Sequence, residues 1–228
     1  MPSVRGALVV AGALIVLTLP TSAWASRSCT PTSYSYAGVA SLQAAFGVAA
    51  TLEAVLPAWV SEGHVAAWVG VGGPGYGPKG ADEWIQVGVN TLPSLSDSIY
   101  YEVARPGRPI EYGAVQGDPL VGTRHRVAVL ELQRHRDWWE VWVDGRVVAG
   151  PFFLPGSNGA WEPLATAESW GAGAACNRFA YRFDRVALAM SPGGNWRPMH
   201  SASAFADAGY RVIRRAGASF TAVARTLS

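Results

Sequence analysis

The chain is poor in the groups that most hydrolases and metalloproteins depend on. It has two cysteines and four histidines, His64, His125, His135 and His200. The histidines show no ligand spacing and no H-E-x-x-H motif. Two cysteines without neighbouring histidines do not make a zinc site. No metal and no cofactor is expected. No G-x-S-x-G nucleophile elbow occurs. The glycines at 70–80 lack a following helical pattern, which excludes a phosphate loop. No strand-like segment carries two carboxylates two residues apart, the pair a β-sandwich glucanase needs for its acid and nucleophile. Glu140 and Asp144 are four apart, and Asp144 falls in a turn.

Charge is also scarce. Only 15% of residues are charged, with 18 Lys+Arg against 16 Asp+Glu. No long charge run appears, and nothing argues for a nucleic-acid partner. The Arg-rich stretch from Arg124 to Arg136 reads as a solvated strand face. Long apolar runs are missing except at the start. Ala7 to Leu19 is apolar but short for a membrane span. Arg5 precedes it, and Ala23-Trp24-Ala25 supplies a small-x-small cleavage pattern, so residues 1–25 read as a signal peptide cut after Ala25. The mature protein is therefore expected to be secreted, with no membrane contact and as a monomer. An exported chain meets an oxidising compartment, which predicts a disulfide between Cys29 and Cys176. Residues 26–47 read as a pro-segment or a first strand, and 48–228 as one domain large enough for its own core.

What is abundant is tryptophan, at 10, with 26 glycines and 15 prolines, the composition of a turn-rich β protein. Period-two alternation predicts strands at 48–55, 65–71, 84–89, 98–104, 126–132, 138–143, 146–149, 166–170, 179–190 and 218–223. Asp144-Gly145 is a favoured two-residue hairpin turn. SASAFADAG at 201–209 is the one place where a helical turn is expected. Closely spaced strands without a βαβ rhythm predict an all-β antiparallel sandwich.

Strand parity separates the two faces. Val65, Ala67, Val69 and Val71 share an aliphatic face, as do Ile85, Val87 and Val89. The opposite faces carry Trp68, Gly70, Trp84, Gln86, Gly88, Tyr100, Glu102, Glu168 and Trp170. A face that merely met water would be richer in Lys, Thr and Ser. This one reads as a groove of aromatics and glycines with a few polar groups.

Several ordered blocks, HVAAWVGVGG (64–73), EWIQVGVN (83–90), YYEVARP (100–106), QGD (116–118), TAESW (166–170), FDRVALAM (183–190) and GASFTAVA (217–224), resemble those of the glutamic peptidases, or eqolisins. The resemblance implies a concanavalin-like jelly-roll sandwich and a catalytic Gln/Glu pair, matched here by Gln86 and Glu168. Trp68 matches the family's groove tryptophan, and Tyr100, Tyr101 and Glu102 its aromatic-acid block. The implied activity is hydrolysis of a peptide or protein substrate, with Trp68, Tyr100, Glu102 and Trp170 contacting it. The chain departs from the pattern at Gly72 and Asn90, where the family usually has Asp, and at Ser169, an extra residue that puts Trp170 on the face of Glu168. A second reading of the same residues is a non-catalytic secreted module that grips peptide or glycan through the Trp/Tyr groove.

Overall fold

The computed structural model describes residues 29, 33–93, 97–117, 121–171 and 173–224. The signal peptide read at 1–25 lies outside them. The chain is an all-β antiparallel sandwich, as its alternation predicts. Among the described residues fifteen strands run in order: β1 (Tyr34–Ser41), β2 (Gly47–Val60), β3 (His64–Gly73), β4 (Glu83–Thr91), β5 (Ser98–Ala104), β6 (Glu111–Gly117), β7 (Arg124–Glu131), β8 (Trp138–Val143), β9 (Arg146–Phe153), β10 (Leu164–Trp170), β11 (Asn177–Ser191), β12 (Gly194–Pro198), β13 (Ala202–Ala206), β14 (Tyr210–Arg215) and β15 (Ser219–Ala224). One sheet has the order β13-β1-β10-β3-β4-β5-β6, the other β14-β15-β11-β2-β7-β8-β9, with β12 paired to β11.

The core fills the space between the sheets. Val65, Val69, Ile85, Val87, Ile99 and Val103 of the first sheet meet Leu52, Val127, Val129, Val141, Phe183 and Leu188 of the second. These are the positions that parity assigns to the aliphatic face, so the opposite face of β3, β4, β5 and β10 is left outside the sandwich.

Four strands, β6, β12, β13 and β14, lie where the sequence reading placed none. Residues 202–206 form an edge strand, β13, paired with β1 rather than a helical turn. The run ASAFA has no strong preference of its own, and the open edge of β1 supplies the hydrogen bonds that decide it. Within 26–47, of the two alternatives the sequence left open, residues 34–41 form a first strand, β1, an inner strand between β13 and β10. Its alternation is short and diluted by Ser and Gly, so sequence periodicity leaves it undefined.

Cys29 and Cys176 are joined, with their Cα atoms 5.6 Å apart. The bridge spans 147 positions, and closing a loop of that length in the unfolded chain is worth on the order of 5 kcal/mol. No helix among the described residues is long and apolar enough to cross a membrane.

Glu83, at the start of β4, follows the parity of Ile85 and Val87 and points inward. It is 0% exposed, and neither carboxylate oxygen has a hydrogen-bond partner. Burial foremost, and then the charge of Asp137, push its pKa from 4.5 up to about 7. A raised folded-state pKa means that the folded protein holds this proton more tightly than the unfolded chain does. The resulting stability is complete below about pH 4.5 and is lost as the pH rises through 7. Ionisation at pH 8 then costs roughly 3 kcal/mol. Thermal melts should therefore give a lower Tm at pH 8 than at pH 5, and Glu83→Gln should remove most of that difference. An unchanged pH dependence in Glu83→Gln would show that Glu83 is not its source.

Candidate active-site cleft

The outer face of the seven-stranded sheet is hollowed into a cleft of about 870 Å³. Its floor comes from alternate residues of β3, β4, β5 and β10, and Tyr36 of β1 and Tyr112 of β6 add to its walls. The central strand is β3. Register sets Glu168 of β10 opposite Ala66 and Thr166 opposite Trp68. On the other side of β3, Gln86 lies opposite Gly70 and Asn90 opposite Ala66. On β5, Glu102 lies opposite Gln86 and Tyr100 opposite Gly88. Gly88 sits where any side chain would collide with Trp68, a Cβ there falling 2.7 Å from the Trp68 Cβ. The missing side chain is what lets β4 pass this close to the Ala67 carbonyl oxygen and Trp68.

Glu168 is 6% exposed and held at both oxygens. The Trp68 indole Nε1 donates to Oε2 at 2.8 Å, and His64 Nε2 lies 3.3 Å from Oε1. Gln86, 8% exposed, donates through Nε2 to the Tyr100 hydroxyl at 3.1 Å. The Tyr100 ring stacks on Tyr112 at 5.5 Å, whose hydroxyl accepts from Asn90 Nδ2 at 2.9 Å. Trp84 Nε1 donates to Glu102 Oε1 at 3.0 Å. The buried polar groups are thus fixed by aromatic donors and hydroxyls, which suits a preorganised site.

Gln86 and Glu168 stand on strands separated by β3 and offset by four residues in register. No hydrogen bond joins them. The groups around them are nonetheless electrostatically linked. Burial raises the Glu102 pKa. Its bond from Trp84 opposes this, the charge of Glu168 adds to it, and His64 works against it. Burial holds the Tyr100 phenol well above its ordinary range, reinforced by Glu168 and Glu102 and opposed by its bond with Gln86. Glu102 lies one strand beyond Gln86 and still feels the charge of Glu168.

Of the residues singled out from sequence, Gln86, Glu168, Trp68, Tyr100 and Glu102 all line the cleft. Trp170 is not among the residues lining the cleft; it packs on Tyr34, which is, with ring centres 4.7 Å apart. Tyr101, by contrast, turns inward against Phe152. Periodicity missed Tyr34 and Tyr36, on β1, whose bounds within 26–47 it left open, and Tyr112, on the undetected β6. It also passed over His64, although His64 shares the parity of Ala66 and Trp68 on β3. Testing each histidine for strand parity, rather than for metal-ligand spacing, finds it. Among the described residues, no group of three or more His, Cys, Asp or Glu could hold a metal ion.

No protein-family model matches the sequence, and no curated protein matches it. Solved structures do. Scytalido-glutamic peptidase with a transition-state analogue inhibitor aligns over 86% of this chain and 100% of its own, at 12% identity and a TM-score of 0.60. The same peptidase with a peptide-based transition-state analogue gives 84% and 98%, 12% identity and 0.59. SCP-B, an eqolisin-family peptidase in complex with the tripeptide Ala-Ile-His, gives 84% and 98%, 13% identity and 0.56. The chain shares their fold.

The structure explains one departure from the glutamic-peptidase pattern. Gly72 has φ +82°, and a Cβ there would lie 2.3 Å from the Glu83 carbonyl oxygen and 3.0 Å from the Trp161 ring. An aspartate does not fit this backbone, which needs glycine in the left-handed region. Restoring the family's acid at 72 would strain the β3–β4 hairpin rather than simply add charge.

Proposed function

We propose that the protein is an exported glutamic-type endopeptidase. The observation that carries this reading is Glu168: a buried carboxylate, oriented by Trp68 and His64, facing an open apolar cleft that also presents the Gln86 amide. Oε2 is tied to the Trp68 indole. Oε1, with only the long contact to His64, keeps a lone pair for a proton. A water in the cleft gives its proton to Glu168 as its oxygen attacks the peptide carbonyl carbon. Charge builds on the carbonyl oxygen. Gln86 Nε2 has two hydrogens, one committed to Tyr100 and the other available to this oxyanion. Glu168 then passes its proton to the leaving nitrogen as the C–N bond breaks, giving a carboxylic acid and an amine. The cycle returns Glu168 as a carboxylate and needs no covalent intermediate.

The cleft favours an extended chain with apolar side chains. Tyr36, Trp68, Trp84, Ile110, Leu164 and Phe205 line it, and aromatic walls gain most from apolar burial. The two-strand separation of Gln86 and Glu168 favours the second reading, a module that binds such a chain without cutting it. Incubating the purified mature protein with a denatured protein across a pH series separates the two. The peptidase reading expects cleavage that is insensitive to serine-, cysteine- and metal-directed inhibitors. Saturable peptide binding with no cleavage at any pH would leave only the binding module.

A further inference from the structure

The outer face of the other sheet carries a concentration of arginine that the linear sequence hides. Arg126 of β7, Arg185 of β11 and Arg197 of β12 line one hollow of about 530 Å³, together with Trp196, Pro198 and Gly217. A second hollow of about 220 Å³ adjoins it, sharing Val186 and Gly217 and adding Arg214 and Arg215. Two other arginines of this sheet are neutralised. Arg124 pairs with Asp184 at 2.6 Å, and Arg182 with Glu53 at 3.1 Å. The five arginines of the two hollows pair with no carboxylate among the described residues.

The first hollow is built rather than merely charged. Arg126 Nη1 donates to the Arg185 carbonyl oxygen at 2.8 Å, and Arg185 Nη2 lies within donating distance of Thr51 Oγ1, at 3.3 Å. These bonds fix two guanidinium groups side by side and leave their remaining N–H groups free. Arg185 adopts φ +53°, at the register shift between Asp184 and Ala187 where β11 bulges. From there its guanidinium reaches Thr51 on β2. Burial foremost, and the charge of Arg185, depress the Arg126 pKa, as expected for crowded cations; the neighbouring carboxylate, Asp144, accepts from the Arg126 backbone N–H at 2.8 Å and not from its guanidinium. Trp196, 39% exposed, offers an indole beside Arg197.

We propose that this face binds an anionic polysaccharide, its sulfate or carboxylate groups held by Arg126, Arg185 and Arg197 and one sugar ring laid on Trp196. Planar guanidinium forks match such oxyanions bidentately. A lone aromatic platform suits a sugar ring between charged groups, whereas single-stranded nucleic acid is gripped by successive aromatic platforms. The site lies across the core from the cleft, because Arg126 alternates with the core residue Val127. It therefore stands independently of the peptidase reading.

The test is titration of the mature protein with heparin at 50 and 200 mM salt, with inorganic sulfate, an uncharged glucan and a single-stranded oligonucleotide as parallel arms. Saturable heparin binding that weakens at least tenfold at the higher salt is expected, with no binding of the glucan. Arg126→Gln with Arg197→Gln should weaken it at least tenfold. Arg197→Gln alone, on an exposed edge strand, should weaken it measurably with an unchanged Tm. Trp196→Ala should weaken it while leaving the salt dependence intact. The proposal is overturned by absent heparin binding, by a double variant that folds and binds like the wild type, by an oligonucleotide bound as tightly as heparin, or by inorganic sulfate competing equally per sulfate, which would mark a site for the free ion only. Peptide binding or cleavage at the cleft should not change in any of these variants.

Discussion

Glu168→Gln should reduce cleavage of a denatured protein substrate by roughly 10²–10⁴-fold, the usual contribution of a positioned acid–base group. The substitution is close to isosteric, and the site accommodates it. The Gln carbonyl can still accept from Trp68 Nε1, which now donates to Oε2 at 2.8 Å. The Gln amide can donate to His64 Nε2 where the carboxylate now sits 3.3 Å away. What the amide cannot do is take a proton from water and return it to the leaving amine. Folding should be preserved, with Tm within a few degrees of the wild type, and affinity for an uncleaved peptide should stay within a few fold. Cleavage at the wild-type rate would remove Glu168 from the chemistry altogether. Loss of peptide affinity together with loss of the fold would show that its role is structural.

Gln86→Ala should lower kcat by roughly 10²–10³-fold, as for removal of one oxyanion donor, with KM little changed. The split between kcat and KM is the informative part. An oxyanion donor acts only as charge develops in the transition state, so its loss spares ground-state binding. A residue that merely lines a binding groove would raise KM and leave kcat alone. Some stability should also be lost, because Gln86 Nε2 is a partner of the buried Tyr100 hydroxyl. Leaving such a group unsatisfied costs about 1–3 kcal/mol. Gln86→Glu offers a second check. It keeps the volume and an oxygen for Tyr100 but replaces the amide donor with a carboxylate, and it should be at least as impaired as Gln86→Ala at neutral pH. Activity restored by Gln86→Glu would exclude an amide donor to the oxyanion.

The sequence by itself determined the sandwich and the polarity of its faces. Alternation at 65–71, 84–89 and 98–104 fixes which side of each strand can enter a core, because successive side chains of a strand point to opposite faces. Trp68, Gln86, Glu102 and Glu168 were therefore legible as one set before any coordinates. The disulfide was legible from the cysteine count and the expectation of export. The weakly patterned strands were not legible, and with them went Tyr34, Tyr36 and Tyr112. Runs such as YSYAGVAS, EYGAVQG and ASAFA become strands when a neighbouring edge offers hydrogen bonds, and no local periodicity records that neighbour. The contact of His64 with Glu168, and the inward burial of Glu83 without a partner, depend on cross-strand register and on where the sandwich closes. The arginine hollow depends on pairing most of all. Arg126, Arg185 and Arg197 are scattered along a nearly neutral chain, and only the β7–β2–β11–β12 pairing and the bulge at Arg185 bring them to one hollow. Strand faces are a local property of covalent geometry, whereas clusters of charge and hydrogen-bond partners are properties of which strands meet.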